Sequence, residues 1–117
     1  MKTNFKILDK SYKTINYINK ILVDYPKKEV VLKNNIEQTC YELIKNIYSY
    51  NINDSIRIKD KNLKDLLISI SMLNFYINIS HDKKIISEKK YIVIGNFLSE
   101  IIAMTKALRK KEVTINE

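Results

Sequence analysis

The chain has 117 residues, with 21 lysines and arginines against 13 aspartates and glutamates, giving a net charge of +8. That length fits one domain around a single core, and the basic excess favours an anionic partner, nucleic acid or a charged membrane surface, over a cationic one. One glycine and one proline exclude a sheet protein built on many tight hairpins and leave no glycine-rich phosphate loop. A bias toward lysine, isoleucine and asparagine is also what a skewed genomic base composition yields, so charge alone does not establish a ligand.

From Met1 to Lys10 there is no long apolar run, which predicts neither a secretory signal nor a membrane span, and hence a soluble, cytoplasmic protein. The first helical pattern runs from about Ser11 to Asp24, with Tyr12, Ile15, Ile18 and Leu22 recurring at threes and fours. Pro26 ends it and is expected to open the second helix, where a missing amide hydrogen costs nothing and Glu29 meets the positive end of the helix dipole. That second helix, Pro26 to Tyr50, carries Leu32, Ile36, Cys40, Leu43, Ile44 and Ile47 on one side. Cys40 is the single cysteine. It has no partner for an internal disulfide and reads as a buried structural thiol in a reducing compartment.

Asn51, Asn53, Asp54 and Ser55 supply turn chemistry short enough to join antiparallel helices. The third helix, about Ile56 to Ser80, has a regular seam of Leu63, Leu66, Ile70, Leu73 and Ile77, widened by Leu67, Met72, Phe75 and Ile79. His81 to Ile86 form the next connection, and Ser87 is the expected N-cap of a fourth helix; Lys90 at the third position prevents a capping box. That helix, about Ser87 to Lys110, repeats the seam with Ile94, Leu98, Ile101, Thr105 and Leu108 and spans about 36 Å. Glu112 to Glu117 lose the periodicity and are expected to fray. The predicted fold is an all-α, up-down-up-down antiparallel four-helix bundle, helices approximately 11–24, 26–50, 56–80 and 87–110, in one domain over residues 1–117. Tyr91, Phe97 and Ile102 lie outside the main seam of the fourth helix and point either to self-association or to simple surface exposure.

Catalytic chemistry has little to stand on. With His81 alone and one cysteine, no zinc site of ordinary spacing assembles, and no Glu-x-x-His pair serves a di-iron bundle. His81 reads as a solvated loop residue, and Asp60, Asp65, Glu88 and Glu100 as surface ion-pair acids. No cofactor is expected. The eight tyrosines could stack on bases where exposed, although helical spacing makes most of them core or interface residues. Positive charge instead gathers at both ends of the fourth helix: Lys83, Lys84, Lys89 and Lys90 at its start, and Lys106, Arg109, Lys110 and Lys111 near its end. These eight are the candidate nucleic-acid contacts, binding phosphate with strong salt dependence and little sequence readout.

From Ser11 to Lys111 the chain resembles the four-helix-bundle family that comprises Avd, the accessory protein of diversity-generating retroelements, and proteins encoded in 23S ribosomal RNA intervening sequences. The likeness rests on Tyr25-Pro26-Lys27-Lys28-Glu29 opening helix two, on Leu63, Leu66 and Leu67, and on Ile86-Ser87-Glu88-Lys89-Lys90-Tyr91 opening helix four. Leu98-Ser99-Glu100-Ile101, with Met104 and Lys110-Lys111, looks most like the Avd branch. The resemblance implies a homopentameric barrel, a basic surface for RNA or DNA, and association with a reverse transcriptase during mutagenic copying of a template repeat. Asn74 and Asn78 stand where the family often has arginines, and Leu108 where it often has tryptophan. The expected function is therefore a non-enzymatic nucleic-acid-binding accessory to a reverse transcriptase. The alternative is a structural or protein-interaction bundle of the intervening-sequence kind, its lysines serving solubility.

Overall fold

Three-four spacing of apolar residues leaves each helix one greasy stripe that only other helices can cover. In a computed structural model, which describes residues 2–116 and the side chains of residues 6–111, four helices do so. They are α1 (Lys2–Leu22), α2 (Val30–Ile52), α3 (Ile56–Asp82) and α4 (Glu88–Asn116), with a 3₁₀ turn at Lys27–Glu29 ahead of α2. Each helix packs on its neighbour in the chain and α1 also packs on α4, while the backbones of the diagonal pairs make no close approach among the described residues. Short connections and this ring order give the up-down-up-down bundle, 49 × 23 × 20 Å.

The core follows the stripes. Leu63, Leu66, Ile70, Leu73 and Ile77 of α3 and Ile94, Leu98, Ile101, Thr105 and Leu108 of α4 are all buried, as are Leu32, Ile36, Cys40, Leu43 and Ile47 of α2. A fully buried leucine or isoleucine contributes about 1.5–3 kcal/mol, so these seams dominate stability. By length and composition, Glu88–Lys111 would also suit a membrane span, but its apolar seam faces α1 and α3 inside the bundle. Burial pushes the Cys40 thiol up to about 12, leaving it protonated and inert at neutral pH.

Several local expectations are corrected. Helix α1 starts at Lys2 rather than Ser11, because Ile7 extends the stripe of Ile15, Ile18 and Leu22 by two turns, with buried Ser11 between them. Tyr12, read as part of that stripe, faces outward, where its hydroxyl hydrogen-bonds that of Tyr48 on α2. Pro26 does not open α2: its ψ of 146° is extended, Glu29 N–H bonds back to its carbonyl in a 3₁₀ turn, and α2 begins at Val30. Met72 and Phe75 are exposed rather than widening the α3 seam, since α2 and α4 already cover its buried side. Helix α4 continues to Asn116 instead of stopping near Lys110; Glu117, in the expected frayed tail, lies outside the described residues.

The junction of α3 and α4 is built from specific contacts. Ser87 caps α4, its hydroxyl accepting from Lys90 N–H at 3.2 Å, as the sequence implied, and Ser55 likewise caps α3 through Ile58 N–H. At the end of α3, Lys84 N–H bonds the His81 carbonyl and Ile85 N–H the Ser80 carbonyl, both at 2.9 Å. Lys84 sits in the left-handed region at φ 63°, the place a glycine normally takes. With the chain's single glycine at position 95, a lysine makes this stop. His81 is not a solvated loop residue. It lies in the last turn of α3, its Nε2 2.5 Å from Glu88 Oε2 and its ring stacked on Tyr91 at 4.0 Å.

Candidate nucleic-acid interface

Alternating direction puts the α1–α2 turn and the α3–α4 turn at the same end of the bundle. Two cross-links hold them together there. Tyr25 donates to the buried Ser80 hydroxyl at 2.7 Å, and that hydroxyl donates to the Tyr76 carbonyl at 2.9 Å. Lys83 grips Glu29 at 3.1 and 3.2 Å. Of the four candidate lysines here, Lys83 is thus engaged in an ion pair, whereas Lys84, Lys89 and Lys90 are exposed and make no ion pair among the described residues.

The same end contains two cations that the candidate set omitted. Lys27 and Lys28 are exposed on the 3₁₀ turn next to Glu29, the residue that Lys83 holds. They are distant from Lys84 in sequence and adjacent in architecture. The up-down topology itself was the signal that could have found them, because it makes every second turn share an end. Asp24, Asp82 and Glu88 are exposed at this end too, so its field is a set of lysine points rather than a uniform sheet.

Lys106, Arg109, Lys110 and Lys111 lie at the far end of α4, with Lys106 about 24 Å from Lys90 along the helix axis. The two basic clusters are not brought together within one protomer. Arg109 here is structural: its Nε donates to Asp60 Oδ1 at 2.9 Å, both side chains being partly buried, and Lys64 approaches the same carboxylate at 3.5 Å. The hydrogen bond from Arg109, with its charge and that of Lys64 adding to it, holds the Asp60 carboxyl below the usual carboxylate range against the upward push of desolvation. Lys106 and Lys111 are exposed. The other acids also act as ion-pair partners, with Lys10–Glu100 at 2.6 Å and Lys61–Asp65 at 2.9 Å.

Exposed aromatic and aliphatic groups are scattered over the surface, with Val23, Val30, Val31 and Ile92 at the lysine end itself. Tyr91, Phe97 and Ile102, read as surplus, are half-buried: Tyr91 donates to Asn78 Oδ1 at 2.7 Å and Phe97 packs on Tyr17 at 5.8 Å. Outward-facing groups include Val31, Tyr41 and Ile52 on α2 and Ile68, Met72 and Phe75 on α3. Tyrosines divide similarly, with Tyr25 and Tyr50 buried and Tyr41 most available for stacking.

A family model described as bAvd-like matches residues 5–112, the whole of this bundle from the second turn of α1 to the last basic cluster. The chain belongs to the bAvd-like family. This bAvd-like protein also superposes, with a TM-score of 0.83, on a crystal structure of a protein of unknown function from the S23 ribosomal protein family of Bacteroides thetaiotaomicron. The alignment covers 92% of this chain and 98% of that one at 18% identity, a level at which the likeness shows the fold. No curated protein matches the sequence. Among the described residues, no group of histidine, cysteine and carboxylate side chains is placed to hold a metal ion.

Proposed function

We propose that the chain is a non-enzymatic accessory protein of a diversity-generating retroelement, which binds nucleic acid and assists the element's reverse transcriptase in copying a template repeat. The observation that carries this reading is the bAvd-like match across residues 5–112. Exposed Lys84, Lys89 and Lys90 beside Lys27 and Lys28 support it. Flexible ammonium groups at one end of a rigid bundle neutralise phosphates without reading bases. Lys83, Lys106, Arg109, Lys110 and Lys111 complete the proposed contact set, with Arg109 also bracing the fold. A homopentameric barrel, the assembly that the family likeness implies, would cover outward apolar groups such as Ile68 and Phe75 and repeat the basic end around a ring, multiplying weak contacts.

Those same apolar groups favour the second reading, a protein-interaction bundle of the ribosomal intervening-sequence kind that makes no use of nucleic acid. The two separate in a binding titration of mixed RNA and duplex DNA over a salt series, comparing wild type with a variant carrying Lys83, Lys84, Lys89 and Lys90 as glutamines. The accessory reading expects binding that weakens with salt and drops in the variant, with helicity and assembly unchanged. Undetectable binding at low salt would overturn it in favour of the interaction bundle.

A further inference from the structure

The eight tyrosines are not spread evenly over the bundle. Five are buried or half-buried, and the three exposed ones, Tyr12, Tyr41 and Tyr48, all belong to α1 and α2. Tyr41 and Tyr48 lie two turns apart on one side of α2, about 10 Å along its axis. Tyr12 joins them from α1 through the bond between its hydroxyl and that of Tyr48, which sets where those two rings sit. Tyr41 is 61% exposed and makes no hydrogen bond or ring contact among the described residues. Its ring is open to a ligand. Lys45, between the two α2 tyrosines, is exposed and makes no ion pair among the described residues. On α1, exposed Asn16 and Asn19 follow Tyr12 at helical spacing, and the face leads toward the 3₁₀ turn that carries Lys27 and Lys28.

We propose that this α1–α2 face is a stacking platform for single-stranded RNA, with unpaired bases on Tyr41 and Tyr48 and the adjoining phosphate drawn to Lys45. The proposal rests on the accessory reading, in which a reverse transcriptase copies an RNA template, and adds a base-stacking surface to the lysine end. Between Val31 and Ile52, α2 exposes no large apolar side chain other than these tyrosines, whereas α3 exposes Ile68, Met72 and Phe75. Aliphatic and phenyl groups suit a dry protein contact. Phenol rings keep their hydroxyls in water while offering a flat π face, the surface on which bases of any sequence stack. A duplex holds its bases stacked at about 3.4 Å and has no free face for a ring. A single strand can splay its bases across the wider tyrosine spacing. Asp9 is held by Lys13 at 3.1 Å; Glu37 lies one turn before Tyr41 and Lys45 one turn after it, so the phosphates are steered to the Lys45 side. Any assembly of the chain must then leave this face open.

The test compares labelled oligouridine, which does not pair, with an RNA hairpin of equal length, by anisotropy, while sedimentation follows assembly. Tyr41→Ala and Tyr48→Ala are each expected to weaken oligouridine binding at least about fivefold, the lower end of base–aromatic stacking. Hairpin binding through the lysine end should stay as in wild type. Tyr41→Phe keeps the stacking face and should bind oligouridine like wild type, and Lys45→Gln should flatten the salt slope by about 0.7, one single-strand phosphate. Equal weakening on both RNAs, no weakening on either, or a Tyr41→Phe variant as weak as Tyr41→Ala would overturn the platform. So would a change in sedimentation on Tyr41→Ala, which assigns the face to contacts between copies. Any of these outcomes with salt-sensitive binding intact in wild type leaves the accessory function standing. Wild type that binds neither RNA removes that function and the platform with it.

Discussion

The two ends of α4 are equally basic in sequence and unlike in structure. At its start, Lys84, Lys89 and Lys90 stand exposed beside Lys27 and Lys28, and the one engaged lysine, Lys83, is bound to a turn of another helix. Near its end, Arg109 is partly buried against Asp60 of α3, so part of that cluster's charge serves the packing of two helices. A run of cations is therefore not a unit of function. What decides is whether a carboxylate from elsewhere in the fold has already claimed the charge.

The sharpest way to break this comparison is to strip each end separately. Changing Lys27, Lys28, Lys84, Lys89 and Lys90 to glutamine is expected to weaken RNA binding by well over tenfold at low salt. The salt slope should flatten by about 0.7 for each single-strand phosphate that is no longer neutralised, with the urea midpoint nearly unmoved. If changing Lys106 and Lys111 alone does as much, the two ends are equivalent and the distinction fails.

Next in size is Arg109→Gln, expected to cost about 1–2 kcal/mol in urea unfolding, the scale of a charge-assisted hydrogen bond, with a smaller effect on RNA binding. It also has a pH signature. Because the folded Asp60 carboxyl titrates below its ordinary value of 3.8, the pair's contribution is present above that pH and is lost as pH falls through the lower folded value. Wild type should lose more stability than Arg109→Gln over that acid window, and parallel acid limbs in the two proteins would contradict the structural role of Arg109.

Tyr25→Phe tests how the turn end is held. Removing the bond to Ser80 should cost about 1 kcal/mol without changing charge, and any fall in RNA affinity would then report the alignment of the two turns. Smallest is Lys84→Gly. Relief of a left-handed lysine should raise stability by up to about 1 kcal/mol, while removing one cation should reduce binding slightly. The opposite signs of these two changes, read in thermal unfolding and anisotropy, would separate the residue's backbone role from its charge.

Helical periodicity made much of the bundle readable. The α3 and α4 seams lie where the three-four spacing put them, since each is long enough for propensity and pattern to agree. Tyr12, Met72 and Phe75 face outward for a common reason: each residue turns the helix by about 100°, so a position one or two places off the stripe is inward or outward according to the neighbouring helix alone. The candidate interface was less legible. Lys27 and Lys28 join Lys84 through topology, and the claim of Asp60 on Arg109 spans two helices that meet only in the folded state.

The ring order of the helices also governs how the chain folds. Three of the four interfaces join helices that follow one another, so hairpins can form with short loop closures and little entropic cost. The fourth, α1 on α4, brings together the first and last helices around Tyr17, Phe97 and the Lys10–Glu100 pair. Shortening the separation between those two partners by circular permutation, with a new break in the Asn53–Ser55 connection, would make that closure local and accelerate folding wherever it limits the rate.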